Sequence, residues 1–158
     1  MQLGTTFSNA GANNAWELNA MSMKILIVED NEVVAECLQS ILRAYGYDPI
    51  LAATQEQAVQ HCQHERDSIH ALIADVMLDN AGGFETAQVL QRICPDMKVI
   101  FTSGYPLEHL VSTGRLPAHL GSALFLQKPF LADAVVSSLH CLDRMSKRQF
   151  ENCGMRHA

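Results

Sequence analysis

An α/β fold built on a doubly wound parallel sheet is predicted by three features of this 158-residue sequence. Short apolar runs alternate five times with longer amphipathic segments. Those runs are continuously apolar, as strands covered on both faces are. The segments between them carry helical spacing, so helices pack on the sheet, and right-handed crossovers place them on both of its faces.

Each element follows from its residues. Lys24-Ile25-Leu26-Ile27-Val28 is a β-branched run that ends in acids. Val33, Val34, Cys37, Leu38, Ile41, Leu42 and Tyr45 then recur at i, i+3, i+4 spacing, which predicts a helix that Gly46 stops. Residues 49–53, from Pro49 to Ala53, read as a weak strand. Thr54 is positioned as a helix N-cap, with Gln57 three residues on completing a capping box. Ala58, Val59 and Cys62 give that second helix a modest apolar face. Ala71-Leu72-Ile73-Ala74 forms a third strand ending at Asp75, and Gly82-Gly83 a turn. Phe84, Ala87, Val89, Leu90 and Ile93 mark a third helix, which Pro95 terminates. Val99-Ile100-Phe101 is the fourth strand and runs into Thr102-Ser103-Gly104. Leu107, Leu110 and Val111 predict a short fourth helix, interrupted by Gly114, Pro117 and Gly121. Ala123-Leu124-Phe125-Leu126 is the fifth strand, ending at Lys128-Pro129. A last helix from about residue 131 buries Ala134, Val135, Leu139, Leu142 and Met145.

The ends of the chain read differently. Residues 1–22 are rich in Asn, Ala, Gly, Ser and Thr and have no sustained period. We read them as a flexible leader, an expression remnant or an early translation start, since Met21 and Met23 precede the first strand. An arm packed by Trp16 and Leu18 is the alternative. Residues 23–146 form the single domain, and 147–158 a polar, fraying tail.

Composition narrows the function. Apolar residues make up 48% and charged residues 18%, so a packed core is expected. The net charge of -6 and the lack of a basic stripe argue against a nucleic-acid partner. No apolar run approaches the roughly 20 residues of a membrane span. The five cysteines are odd in number and include no CxxC, so neither a disulfide framework nor a zinc site is indicated, and buried thiols in a cytoplasmic protein are expected. No P-loop and no GxGxxG is present. A haloacid-dehalogenase-type phosphatase would carry a second Asp two residues after its nucleophile on the first strand, whereas Asp30 is followed by Asn31-Glu32.

In a doubly wound sheet, ligands bind at the strands' C-terminal edge. After the first run come Glu29 and Asp30, after the third Asp75, after the fourth Thr102 and Ser103, and after the fifth Lys128. Three clustered carboxylates repel one another, and a divalent cation relieves the repulsion. All the candidate ligands are oxygens, which selects a hard ion such as Mg²⁺. The lysine and the hydroxyl can bind the oxygens of a phosphoryl group, and a carboxylate can accept that group as an aspartyl phosphate.

ILIVEDN (25–31), LIADVMLDNAGG (72–83), VIFTSGY (99–105) and FLQKPF (125–130) together resemble the four signature segments of the bacterial response-regulator receiver domain. The resemblance spans residues 23–146 and implies a flavodoxin-like sheet of order 2-1-3-4-5. It implies that Asp75 is the phosphoacceptor and that Asp30 binds Mg²⁺ directly, with Glu29 acting through water. The backbone carbonyl of Met77 would be a further ligand. Thr102 would be the switch hydroxyl, Lys128 the phosphoryl-pairing lysine, Phe125 the aromatic switch, and Lys128-Pro129 a cis peptide.

The implied partners are a sensor histidine kinase or histidine phosphotransfer protein and a downstream protein target. The surface that changes would be the fourth helix, fifth strand and fifth helix, with homodimerisation expected through the fourth-helix to fifth-helix face. The chain would catalyse only its own phosphorylation and dephosphorylation. With about a dozen residues after the last helix, no output domain is expected. Two departures stand out. Asp79 occupies a position where the family often has proline, and TSGY with the longer segment after it resembles receivers of hybrid histidine kinases. Met77 offers no side-chain amide or acid to orient water, so slow self-dephosphorylation is expected. The competing reading is a receiver-shaped protein-binding module that does not signal by phosphorylation.

Overall fold

The five apolar runs are strands of one parallel sheet in a computed structural model that describes residues 23–118 and 124–145. The leader over 1–22, Gly121, Ala123 and the tail over 147–158 lie outside the described residues. The strands are β1 (Lys24–Val28), β2 (Asp48–Ala52), β3 (Ile69–Asp75), β4 (Lys98–Ser103) and β5 (Phe125–Gln127), in the order β2-β1-β3-β4-β5. Between them run α1 (Glu32–Ala44), α2 (Gln55–His64), α3 (Gly83–Ile93) and α4 (Leu107–Ser112), with α5 (Ala132–Arg144) closing the chain. This is the doubly wound, flavodoxin-like arrangement the sequence predicts.

The core lies on both faces of the three central strands. Ile25, Leu26, Ile27 and Val28 are all essentially inaccessible, as are Leu72, Ile73, Val99, Ile100 and Phe101. A side chain on either face of β1 or β4 therefore meets a helix, which explains the absence of polar alternation. Leu38 and Leu42 anchor α1 to the sheet; losing a fully buried leucine typically costs about 3 kcal/mol. Phe84 of α3 meets Phe101 of β4 with ring centroids 5.9 Å apart.

Pro49 fits within β2 because β2 is an edge strand. The Asp48 amide donates to the Met23 carbonyl at 3.0 Å, so the next backbone nitrogen, that of Pro49, faces the open edge, where no donor is needed.

Several local expectations are corrected. The buried stripe of α1 is narrower than its apolar spacing. Val33 is 75% exposed and Cys37 is exposed, while Ala35 joins Leu38 and Leu42 beneath. On α5, Ala134 is exposed and Val136 is buried in its place. Cys62 and Cys94 are buried as expected, but Cys141 is exposed like Cys37, because each lies just off its helix's contact line. β3 begins two residues earlier than predicted, at Ile69, and β5 runs from Phe125 to Gln127, with Leu124 outside it. The Thr54 hydroxyl does accept from the Gln57 amide at 3.2 Å. The Gln57 side chain, however, accepts from Ala53 at 2.8 Å, one residue before the cap.

Candidate functional site

Parallel register brings the chemistry-bearing residues into one row. Val28 lies opposite Ala74, and Asp75 lies opposite Thr102, which in turn lies opposite Leu126. The residues that end β1 and β3 therefore leave the sheet at the same edge and height, and Lys128 follows two residues after Leu126. The edge is desolvated: Glu29 is 3% exposed, Asp75 7% and Thr102 1%, while Asp30 is half-buried.

Lys128 is the centre of the arrangement. Its ammonium donates to Glu29 Oε2 at 2.6 Å and to Asp75 Oδ2 at 3.0 Å. Its own backbone amide donates to the Ser103 carbonyl at 2.8 Å, so β4 fixes the lysine's stem. The Lys128-Pro129 peptide is cis, as the resemblance implies. Burial alone would lower the lysine's pKa. Its bonds to Glu29 and Asp75 outweigh that and hold it above the ordinary lysine value, so it is charged at neutral pH. Burial pushes the Glu29 carboxyl above the usual glutamate range, against the pull of Lys128 and the Asn31 amide.

Each carboxylate also takes a backbone donor. Asn31 N–H reaches Glu29 Oε1 at 3.0 Å, Met77 N–H reaches Asp75 Oδ1 at 3.0 Å, and Asp79 N–H reaches Asp30 Oδ2 at 3.1 Å. Glu29, Asp30 and Asp75 each offer an oxygen within 4.8 Å of the others. Three carboxylates against one ammonium leave two negative charges, which suits one divalent cation. The donors are all hard oxygens, as Mg²⁺ prefers. The residues present thus fit a cation of that class.

The expected site residues are otherwise placed as follows. Thr102 is buried on β4 beside Asp75. Phe125 is half-buried on β5, in register with Phe101. Met77 is 37% exposed on the loop after β3. Asn31 and Gly83 are contributors the sequence reading missed, and Ser103, expected at this edge, takes a local role there. Asn31 caps α1 through its side chain, accepting from the Val34 amide at 3.1 Å, while its own amide holds Glu29. The Ser103 hydroxyl accepts from the Tyr105 amide at 3.1 Å. Gly83, read only as a turn residue, packs directly against the end of β3. A Cβ there would sit 1.9 Å from the Asp75 carbonyl oxygen. Its signal was the glycine pair a fixed distance after Asp75, which turn chemistry alone does not explain.

Comparison with known proteins agrees with this fold. The family described as "Response regulator receiver domain" matches residues 25–140. A putative response regulator NtrX-like from Rickettsia bellii is 27% identical over 84% of this chain and 27% of its own length. The transcriptional regulatory protein CpxR of Escherichia coli K12 is 29% identical over 78% of this chain and 50% of its own length. The chain thus spans half or less of these two relatives. A CheY-like receiver domain protein from Methanospirillum hungatei superposes with a TM-score of 0.61 at 25% identity, covering 77% of this chain and 94% of that one. Among the described residues, no helix is long and apolar enough to cross a membrane.

Proposed function

The chain belongs to the response regulator receiver domain family, and from that premise we propose that Asp75 accepts a phosphoryl group from a phosphohistidine. The donor would be a histidine kinase or a histidine phosphotransfer protein. The observation that carries this reading is the shared lysine: one ammonium bridges Glu29 and Asp75 at a desolvated strand end.

The step is a displacement at phosphorus. An Asp75 carboxylate oxygen forms the new P–O bond as the donor's P–N bond breaks, and the imidazole leaves with the electron pair. Lys128 lies within one hydrogen bond of Asp75 and is placed to follow the arriving phosphoryl oxygens. The Met77 amide holds the other carboxylate oxygen and fixes the direction of attack. Asp30 and Glu29, with Asp75 and the Met77 carbonyl, would hold Mg²⁺. Bound there, the cation neutralises charge that develops on the phosphoryl group.

Thr102 stands in register with Asp75, and its hydroxyl takes the switch role by turning to the new group. Phe125, on the neighbouring strand, would relay that turn to the face formed by α4, β5 and α5. On this reading the face is where a downstream protein or a second copy of the chain engages. The exposed thioether at position 77 leaves attacking water unoriented, so the phosphoryl group is retained for longer than seconds.

The test is intact mass after incubation with acetyl phosphate and Mg²⁺, and with beryllofluoride in parallel. A single adduct that needs Mg²⁺ and vanishes in Asp75→Asn supports the proposal. Absence of both the phosphoryl adduct and beryllofluoride binding would overturn it.

A further inference from the structure

The three carboxylates differ in where their backbone donors come from. Glu29 and Asp75 each take an amide from two residues further along the same turn, Asn31 and Met77. Such a donor moves with its carboxylate. Asp30 takes its amide from Asp79, 49 residues away on the loop after β3. That donor belongs to a different element, so Asp30 cannot reorient without either breaking the bond or dragging the loop.

The loop is closed at both ends. The Gly83 amide donates to the Val76 carbonyl at 3.0 Å, and Gly83 is wedged against Asp75. Both ends are therefore fixed, and residues 77–82 form a short closed segment between them. Asp30 is also the most accessible of the three acids; Glu29 and Asp75 are buried and share the Lys128 ammonium, whereas Asp30 has only the Asp79 amide to hold it among the bonds at this edge. Asp30, Leu78, Asp79, Thr54 and Gln55 line a cavity of about 310 Å³ beside the acceptor edge. A shift of residue 79 changes the wall of that cavity.

We propose that the Asp79 amide is a cation-released latch. It occupies Asp30 Oδ2 when the metal site is empty and yields that oxygen when a divalent cation binds, so cation occupancy sets the position of loop 77–82. This rests on the receiver reading above for the metal's place. It adds that Mg²⁺ affinity includes the cost of opening the latch, and that the groove beside Asp30 differs between the metal-free and metal-loaded protein. Proline at position 79 could not form the latch, having no amide hydrogen.

Two measurements on the full chain test it. The first is calorimetric Mg²⁺ binding to wild type, Asp79→Asn, Asp79→Pro and Asp30→Asn. Asp79→Asn removes the charge and keeps the amide, whereas Asp79→Pro removes both. The latch predicts that Asp79→Pro binds Mg²⁺ at least about tenfold more tightly than Asp79→Asn, the scale of one amide–carboxylate hydrogen bond. The second needs no variant: amide hydrogen exchange at residue 79 of wild type should accelerate severalfold at saturating Mg²⁺. If Asp79→Pro does not fold, the exchange result decides alone. Unchanged exchange at residue 79, in a protein that binds Mg²⁺ and accepts a phosphoryl group, overturns the latch and leaves the receiver reading intact. Wild type that binds no Mg²⁺ overturns both.

Discussion

Two lysines stand at opposite ends of the same sheet, each against acids, and they do different things. Lys24 opens β1 and pairs with Glu65 in the open, with side chains 33% and 29% exposed. Lys128 follows β5 and serves Glu29 and Asp75, whose side chains are 1% and 9% exposed. Water can replace either partner at the first site, so that pair contributes little. At the second it cannot. Removing the ammonium there would strand two desolvated carboxylates beside a third, which is costly. The same residue types make a surface contact at one end and a buried, charged acidic cluster at the other. Burial decides between them, and parallel register decides which end is buried with its acids converging.

Replacing each lysine in turn breaks the comparison most sharply. Lys128→Met should lower stability by about 3 kcal/mol in urea unfolding without Mg²⁺. It should also slow formation of the acetyl phosphate adduct at least about 100-fold, the scale of losing one charge-stabilising donor. Unfolding with and without Mg²⁺ sharpens the point, because a cation should recover part of the lost stability. Equal losses in both buffers would separate the lysine from the metal site.

Gly83→Ala should come next. The new methyl would overlap the Asp75 carbonyl, so the chain must shift there at a cost of about 2 kcal/mol. Because the displaced atom belongs to the backbone of Asp75, the proposed acceptor, phosphorylation should slow along with the fall in thermal midpoint. A stable Gly83→Ala protein with wild-type adduct kinetics would contradict that coupling.

Lys24→Met should do least, with an unfolding midpoint close to wild type near neutral pH. Its sign is nonetheless fixed. Lys24 holds the Glu65 carboxyl below the usual glutamate range. The small stabilisation is therefore present above about pH 4.5 and is lost as pH falls through the lower folded value. A denaturation series from pH 7 to pH 3 should show wild type and Lys24→Met converging at the acid end. A difference that widened toward low pH would reverse the assignment.

The fold was legible because continuous β-branched runs have few other uses. The site was legible because its side chains all lie at the ends of those runs. Glu29, Asp30, Asp75, Thr102 and Lys128 needed only the parallel arrangement to converge. What remained hidden belongs to the backbone. The Asp79 amide on Asp30, the Asn31 amide on Glu29 and the closeness of Gly83 to Asp75 depend on loop paths that no periodicity encodes. The misplaced face of α1 has a similar cause. Val33 and Cys37 are apolar and correctly spaced, but the sheet beneath covers Ala35, Leu38 and Leu42 fully and Val34 and Ile41 only in part. Spacing tells which residues share a side of a helix, whereas the width of the contact is set by what packs against it.

The most direct test of the central claim is to find the phosphoryl group in the chain. Borohydride reduces an acyl phosphate on aspartate to homoserine, leaving a permanent mark at the acceptor. After treatment with acetyl phosphate and Mg²⁺, reduction and peptide mapping, the account predicts homoserine at position 75 and at no other acid. A mark at Asp30 or Asp79, or label retained on a histidine with Asp75 unmodified, would contradict it.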